Sequence, residues 1–354
     1  MTGSRSSLLD AEGEIESVKV KQLPRVGMGV FPTPFESMPR LTTELGGPNL
    51  YVKRDDLTGV ALGGNKVRQL DYILVRAQEM KADYVITTCG VQSNWSRQTV
   101  ALATKMGMKA LLVLRTAQFK TKPKVYDGNI LLDYIMGAEI KVIKMKISED
   151  PTPILEREAE KLRKKGHNPL VLGPAASVSP LATAAYAYGF IEMAEQANAV
   201  GVKLDAVYVA AGAGPTQAGL ILGAKMMGMD TKIVGVNVGA YSAEKMSGVI
   251  TRSSEGAAKL LETSARVERS DIIINGDYAG KDYGISTKES IEALKLVART
   301  EALIIDPVYT GKTMAGMIGA IRDGEFGPDE NVVFIHTGGI PALFPYRGEF
   351  QPAH

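Results

Sequence analysis

The chain of 354 residues is poor in cysteine, tryptophan and histidine, with one, one and three of them. A single cysteine, Cys89, cannot close an internal disulfide or build a thiolate metal centre, and no His/Asp/Glu spacing suggests another metal site. One-signed charge is absent as well: 41 Lys and Arg face 39 Asp and Glu, for a net +2, and no block of five or six like charges occurs. That balance gives no electrostatic argument for nucleic acid or a membrane surface. Apolar runs such as Ala110 to Leu114 fall far short of the roughly 18 residues needed to span a bilayer. The first twenty residues lack the apolar core of a signal peptide. There is no internal repeat, low-complexity tract or Gly-x-y period. The expectation is a soluble protein of a reducing, cytoplasmic compartment, with about two domains at roughly 150 residues each.

Glycine, by contrast, is abundant: 37 residues, where average usage predicts about 25. The rest of the chain alternates short apolar runs with helical periodicity. Helices are predicted over 65–80, 94–106, 130–136, 154–165, 181–197, 216–227, 288–300 and 311–321. Strands are predicted over 84–86, 110–114, 140–143, 170–172, 206–210, 233–238, 303–305 and 332–335. Such alternation implies an α/β fold of mainly parallel sheets covered on both faces. Ligands on these sheets sit beyond the carboxyl ends of the strands, so the strand-to-helix junctions are the places to look for chemistry.

Several junctions are unusual. Ala210 to Gly219 reads AAGAGPTQAG, a glycine-rich turn opening a helix, where free backbone amides and the helix dipole suit a phosphate. Gln217 takes the third glycine position of a dinucleotide fingerprint, and the next strand ends Val236-Asn237-Val238 without a carboxylate for a ribose. The turn therefore suits one phosphate; a plain tight turn is the alternative. Gly63-Gly64-Asn65-Lys66 places a lysine in a first helical turn. Burial there would lower its amine pKa, as Schiff-base chemistry requires; a solvated surface lysine is the alternative. Gln92-Ser93-Asn94-Trp95-Ser96-Arg97-Gln98 is more polar than a helix cap needs, although Ser93 or Asn94 suits an N-cap. Asp306 to Lys312 and His336 to Pro341 (HTGGIP) complete the set.

Taken together, Gly63 to Arg68, Gln92 to Gln98, Tyr309 to Lys312 and His336 to Leu343 resemble pyridoxal-phosphate enzymes of the tryptophan-synthase-β fold (fold type II). The nearest subfamily is that of D-cysteine desulfhydrase and 1-aminocyclopropane-1-carboxylate (ACC) deaminase. The likeness runs in order from about Pro32 to Phe344. It implies two three-layer α/β domains, the larger from residues 1–79 and 180–354 and the smaller from 80–179, with pyridoxal 5'-phosphate in the cleft between them. It also implies a homodimer acting on a small amino acid.

The resemblance implies roles residue by residue. Lys66 would hold the cofactor as a Schiff base and later move protons, with Asn65 beside it. Gly212, Ala213, Gly214 and Thr216 would hold the phosphate. Asn94 would meet the ring 3′-oxygen. Gln92, Ser93, Asn94 and Trp95 would bind the substrate carboxylate, and Tyr283 and Tyr309 would stand near the reacting carbon with Ser93. Thr337 and Gly338, or secondarily Thr310, would approach the pyridine nitrogen. ACC deaminases carry Glu at Thr310 and Leu at Thr337. A neutral hydroxyl there makes the ring a shallower electron sink, which favours α,β-elimination of a good leaving group over cyclopropane opening. The predicted reaction is D-cysteine to pyruvate, ammonia and sulfide. L-cysteate sulfo-lyase and ACC deaminase are the enzyme alternatives, and a phosphate- or nucleotide-binding protein is the alternative without catalysis. Trp95, Pro215 and Gln69 depart from the subfamily pattern. Nine glycines, at 63, 64, 90, 212, 214, 219, 311, 338 and 339, are expected to line the cofactor turns.

Overall fold

The computed structural model describes residues 23–116, 125–146 and 149–350. The chain opens with strand β1 (Phe35–Ser37), helix α1 (Pro39–Leu45) and β2 (Asn49–Lys53). Helices α2 (Lys66–Ile73) and α3 (Val75–Glu79) follow. Next come β3 (Tyr84–Gly90), α4 (Asn94–Lys105), β4 (Lys109–Arg115), α5 (Gly128–Ile135), β5 (Glu139–Ile143), α6 (Thr152–Arg163) and β6 (Pro169–Leu172). The remainder is α7 (Pro180–Ala199), β7 (Ala206–Ala211), α8 (Pro215–Met226), β8 (Lys232–Asn237), α9 (Ala243–Leu260), β9 (Ile273–Asn275), α10 (Lys288–Glu301), α11 (Thr310–Arg322) and β10 (Asn331–Ile335).

Two sheets result. One has the order β1-β2-β10-β7-β8-β9, parallel except for the β1–β2 pair. The other has the order β5-β4-β3-β6 and is wholly parallel. Side chains alternate between faces along a strand, and each sheet is covered on both. On the first, Leu50, Tyr208, Val236 and Phe334 join one core with α10 and α11. Val207, Val209, Ile233 and Val333 join another with α7 and α8. On the second, Val85, Leu112 and Leu170 pack against α4, whereas Ile86, Leu111 and Val113 pack against Leu155 and Leu162 of α6. Strands buried on both faces must be apolar at nearly every position, which explains runs such as Ala110 to Leu114. This is the α/β, three-layer, mainly parallel architecture expected from the alternation.

Helix α2 ties the two layers together. Val67 and Leu70 sit in the core of the four-stranded sheet. Arg68 turns the other way and is 2% exposed. Its guanidinium donates to Asp55 Oδ1 at 2.8 Å and to Glu192 Oε1 of α7 at 2.7 Å. Lys53 Nζ of β2 reaches the same Glu192 oxygen at 2.6 Å, and Tyr186 donates to Asp55 Oδ2 at 2.6 Å. Burial opposes ionisation of both carboxyls, but the hydrogen bonds and charges of Arg68 and Lys53 together outweigh it and hold them below their ordinary values. Two cations and two anions thus balance in a buried cluster two residues from Lys66.

Two expectations are corrected. The helix over 65–80 is two helices, because the Ala77 amide bonds Leu74 O three residues back and breaks the four-residue ladder. The strand over 303–305 is irregular chain. Ala302 adopts a left-handed conformation at φ 54°, Pro307 follows, and Ile304 O lies 2.9 Å from His336 Nε2 instead of joining a sheet.

Candidate active site

The ends of β3, β4 and β7 and the residues following β8 and β10 converge on a cavity of about 350 Å³. That volume lies in the range of small-molecule sites. Of the residues singled out in the sequence, Asn65, Lys66, Ser93, Asn94, Trp95, Gly212, Ala213, Gly214, Thr216, Tyr283, Tyr309 and Thr337 line it.

Lys66 is the first residue of α2. Burial lowers its ammonium pKa to about 8, opposed only by the Cys89 thiol. A positive charge at a helix N-terminus is also unfavourable. Both effects leave a substantial fraction of the amine neutral and nucleophilic near physiological pH.

Opposite stands the start of α8. Gly214 caps this helix with φ 102° and a Cβ there would approach Ile250 to 3.1 Å, so a glycine suits the turn. Thr216 Oγ1 receives the Asn65 amide at 3.3 Å and the Gln69 amide at 3.4 Å. Gln69 Oε1 is buried without a partner among the described residues. A phosphate fits this cradle: free amides, a hydroxyl and a positive helix end.

The third wall is the start of α4. Ser93 is its N-cap, with Oγ accepting the Ser96 amide at 3.2 Å, so the capping reading holds for Ser93. Asn94 Oδ1 accepts from Asn129 at 2.9 Å. Trp95 is 8% exposed and donates its indole N–H to Thr87 Oγ1 at 2.9 Å. It presents ring surface to the cavity while its polar edge is anchored in β3. Tyr283 and Tyr309 hydroxyls contact each other. Burial raises Tyr283 to about 12 and holds Tyr309 well above its ordinary value, so both are neutral donors.

Three sequence candidates do not reach this wall. The Gln92 amide donates to Asp127 O at 2.8 Å and accepts from Asn129 N at 2.9 Å. The Thr310 hydroxyl donates to Asp306 Oδ1 at 2.6 Å and accepts the Asp306 amide at 2.8 Å. Gly338 packs on the Lys66 turn, where its Cβ would lie 2.7 Å from Gly64 Cα. The glycine expectation narrows as well: of the nine, Gly90, Gly212 and Gly214 line the cavity. Gly219 instead lets α8 approach α7, since its Cβ would sit 2.3 Å from Thr183 O.

The cavity also gathers groups that no local motif announced, among them Arg115, Tyr241 and Lys245. Arg115 ends β4, one position past a predicted strand, so the rule that ligands sit beyond strand ends was the available signal. Tyr241 and Lys245 follow β8 and have no comparable signal. No Asp or Glu side chain lines the cavity among the described residues, and no metal-holding cluster of His, Cys, Asp and Glu occurs among them. No helix among them is long and apolar enough to cross a membrane.

Comparison with known proteins agrees with this geometry. The family model described as pyridoxal-phosphate dependent enzyme matches residues 26–338. A 1-aminocyclopropane-1-carboxylate deaminase of Burkholderia ambifaria is 36% identical over 342 residues, covering 94% of this chain and 99% of the relative. The protein of the same name from Burkholderia vietnamiensis is 35% identical over 338 residues, covering 94% and 99%. A crystal structure described as an ACC deaminase homologue superposes with a TM-score of 0.85 at 38% identity, covering 94% of this chain and 97% of that one. Threonine deaminase isoform 2 of Solanum lycopersicum shares the fold, with a TM-score of 0.62 at 19% identity over 96% and 86% of the two chains. With a buried lysine at a helix start facing a phosphate cradle, and this match over most of its length, the chain belongs to the pyridoxal-phosphate-dependent enzymes of fold type II, as a lyase of the ACC deaminase and desulfhydrase group.

Proposed function

We propose that this lyase performs α,β-elimination on an amino acid bearing a β leaving group, converting D-cysteine to pyruvate, ammonia and sulfide. The observation that carries the reading is the composition of the cavity wall: Lys66 and Thr337 line it, and among the described residues no Asp or Glu does. The cofactor, when bound, supplies an electron sink conjugated to the substrate Cα. A neutral hydroxyl partner leaves that sink shallow, which suffices when the Cβ–S bond breaks with its electron pair on sulfur.

In this reading Lys66 Nζ holds the cofactor and then takes the Cα proton, helped by its lowered pKa of about 8. Ser93 and the first amides of α4 hold the substrate carboxylate, with Asn94 and Trp95 beside them. The amides of Gly212, Ala213, Gly214 and Thr216 hold the phosphate. Tyr309, kept protonated by burial and in contact with Tyr283, offers a hydrogen-bond donor next to the reacting carbons. Thr337 partners the ring nitrogen rather than Thr310, whose hydroxyl is occupied by Asp306. The strands of the two sheets fall within 35–53 with 206–335, and within 84–172. That supports a large domain of residues 1–79 and 180–354 and a small one of 80–179, with Lys66 at their junction. We further propose a cytoplasmic homodimer. Cys89 is unpaired, and α5 leaves Tyr134 and Ile135 exposed at 62% and 67%.

The names of the relatives keep ACC deamination as the second reading. Purified protein loaded with pyridoxal phosphate is expected to show the visible absorbance of a lysine adduct, absent in Lys66→Ala. Supplied with D-cysteine, L-cysteine, L-cysteate and ACC, it is expected to release sulfide and pyruvate from D-cysteine. Formation of 2-oxobutyrate from ACC as the dominant product would replace the elimination reading.

A further inference from the structure

Arg97 of α4 and Asn129 of α5 are fully buried and stand behind the cavity wall, outside its lining. Their hydrogen bonds carry an orientation. A guanidinium only donates, and a backbone carbonyl only accepts. Arg97 Nε lies 2.7 Å from one end of the Asn129 side-chain amide, so that end is Oδ1. The other end lies 3.1 Å from Gln92 O, so it is Nδ2. Both partners demand the same orientation, and turning the amide over would set donor against donor and acceptor against acceptor. The Asn129 backbone is fixed too, since its N–H donates to Gln92 Oε1 at 2.9 Å.

The orientation passes to Asn94. Asn129 Nδ2 also donates to Asn94 Oδ1 at 2.9 Å. A donor on that side obliges Asn94 to turn its oxygen toward it. Asn94 Nδ2 then lies on the other side, near the Gly339 turn, where a Cβ on Gly339 would come within 3.2 Å of it. Asn94 is half-buried and lines the cavity, so what its side chain offers there is an N–H donor. Arg97 also donates to Gly63 O at 3.0 Å and to Ala61 O, in the turn before Lys66. One arginine thus fixes the lysine turn and the polarity of the amide on the facing wall.

We propose that Asn129, oriented by Arg97, is a positioning residue that keeps Asn94 turned as a hydrogen-bond donor toward the 3′-oxygen of the bound cofactor ring. The inference rests on reading Asn94 as the side chain that meets that oxygen. Without Asn129 the Asn94 amide is free to turn over, at little steric cost because its two ends are nearly equal in size. A donor stabilises negative charge on the 3′-oxygen, most of all once the adjoining lysine adduct has lost its proton. It therefore lowers the pH at which that proton leaves, and loss of the donor raises it.

The test is a pH titration of the cofactor-loaded protein, following the visible band of the lysine adduct. Asn94→Ala is expected to raise the midpoint by about one unit, the loss of one hydrogen bond to a charged group. Asn129→Asp keeps the size of the side chain and its contact with Arg97 but removes the donor, so Asn94 turns to donate to the carboxylate. The midpoint should rise at least as far. Part of that rise belongs to the added charge, so the same substitution is also made in Asn94→Ala, where only the charge effect remains. Asn129→Leu adds no charge and serves should the Asp variant fold poorly; its rise should be smaller, of the same sign, and absent in Asn94→Ala. An equal rise from Asn129→Asp with and without Asn94, or no rise in either Asn129 variant, would overturn the proposal. An unmoved midpoint in Asn94→Ala would take Asn94 off the ring, and the proposal with it. Sulfide release from D-cysteine is scored separately: if the midpoints move as expected but no sulfide appears, the elimination reading fails and this one stands.

Discussion

Glu192 and Asp55 are 3% and 1% exposed, yet both are held below their ordinary pKa values because the hydrogen bonds and charges of Arg68 and Lys53 together outweigh burial. Their value depends on mutual pairing. Removing one member of a buried ion pair leaves an uncompensated charge and costs about 3–5 kcal/mol. Glu192→Gln would strand Lys53 and Arg68 beside a single carboxylate, Asp55. The expected outcome is a loss of that order in urea unfolding at neutral pH, whereas loss of the exposed Lys288–Glu292 pair, 3.8 Å apart, should be near neutral. Nothing local in the sequence marks this cluster. Lys53, Asp55, Arg68 and Glu192 span a long stretch of chain and meet only because α2 packs against α7 and Arg68 reaches Asp55 in the turn after β2. Lys66 was legible for the opposite reason: its two preceding glycines and its helix start are contiguous.

At the scale of elements, legibility followed length and composition. The central strands β3 and β4 of the four-stranded sheet were readable because burial on both faces makes Tyr84-Val85-Ile86 and Ala110 to Leu114 continuous apolar runs. Helix α9 was not, since its sequence mixes glycines, serines and a threonine into the periodic Met246, Ile250 and Ala257, and these are weak helix formers. Strand β9, of three residues, is too short for any period to register. The glycine-rich turn at the start of α8 was readable, but its supports were not: Asn65 and Gln69 reach Thr216 from another helix. In the proposed function that joint sets the affinity for the cofactor. Thr216→Val keeps the shape of the side chain and removes the hydroxyl. It is expected to raise the dissociation constant for pyridoxal phosphate by about tenfold, the loss of one charge-assisted hydrogen bond. Fluorescence titration measures that constant, and thermal melts should show the unliganded variant little changed while the stabilisation gained on loading shrinks.

Across the whole molecule, several ionisable groups have been taken out of water, and their signs can be separated by pH. Burial lowers Lys66 and Lys312 to about 8 each. Both are charged in folded and unfolded chains near pH 5 and begin to lose their proton in the fold only as pH approaches 8, where they add a small slope of opposite sign, stability rising with pH. Asp55 and Glu192, with lowered pKa values, lose stabilisation only toward acid, around and below the unfolded carboxylate range. Asp133 behaves otherwise. It is fully buried on α5, and neither carboxyl oxygen has a hydrogen-bond partner among the described residues. Burial raises it to about 8 against the attraction of Arg97. Between the unfolded carboxylate range and pH 8 this carboxyl therefore binds more proton in the folded chain than in the unfolded one, and its contribution to stability falls as pH rises through that window. A shift of that size sets an upper limit of ~5 kcal/mol on the loss. Asp71 and Asp306 are also raised by burial, so the wild-type slope is not due to Asp133 alone, and the difference from Asp133→Asn isolates it. In urea titrations of the cofactor-free protein, the wild-type midpoint should drop from pH 5 to pH 8 by more than that of the Asn variant. The two should approach each other at pH 5, where the buried carboxyl is neutral in both senses that matter: protonated in one chain and amidated in the other. Parallel pH profiles for the two proteins would mean that Asp133 is ionised in the fold, with a counter-charge from Arg97 strong enough to outweigh its burial.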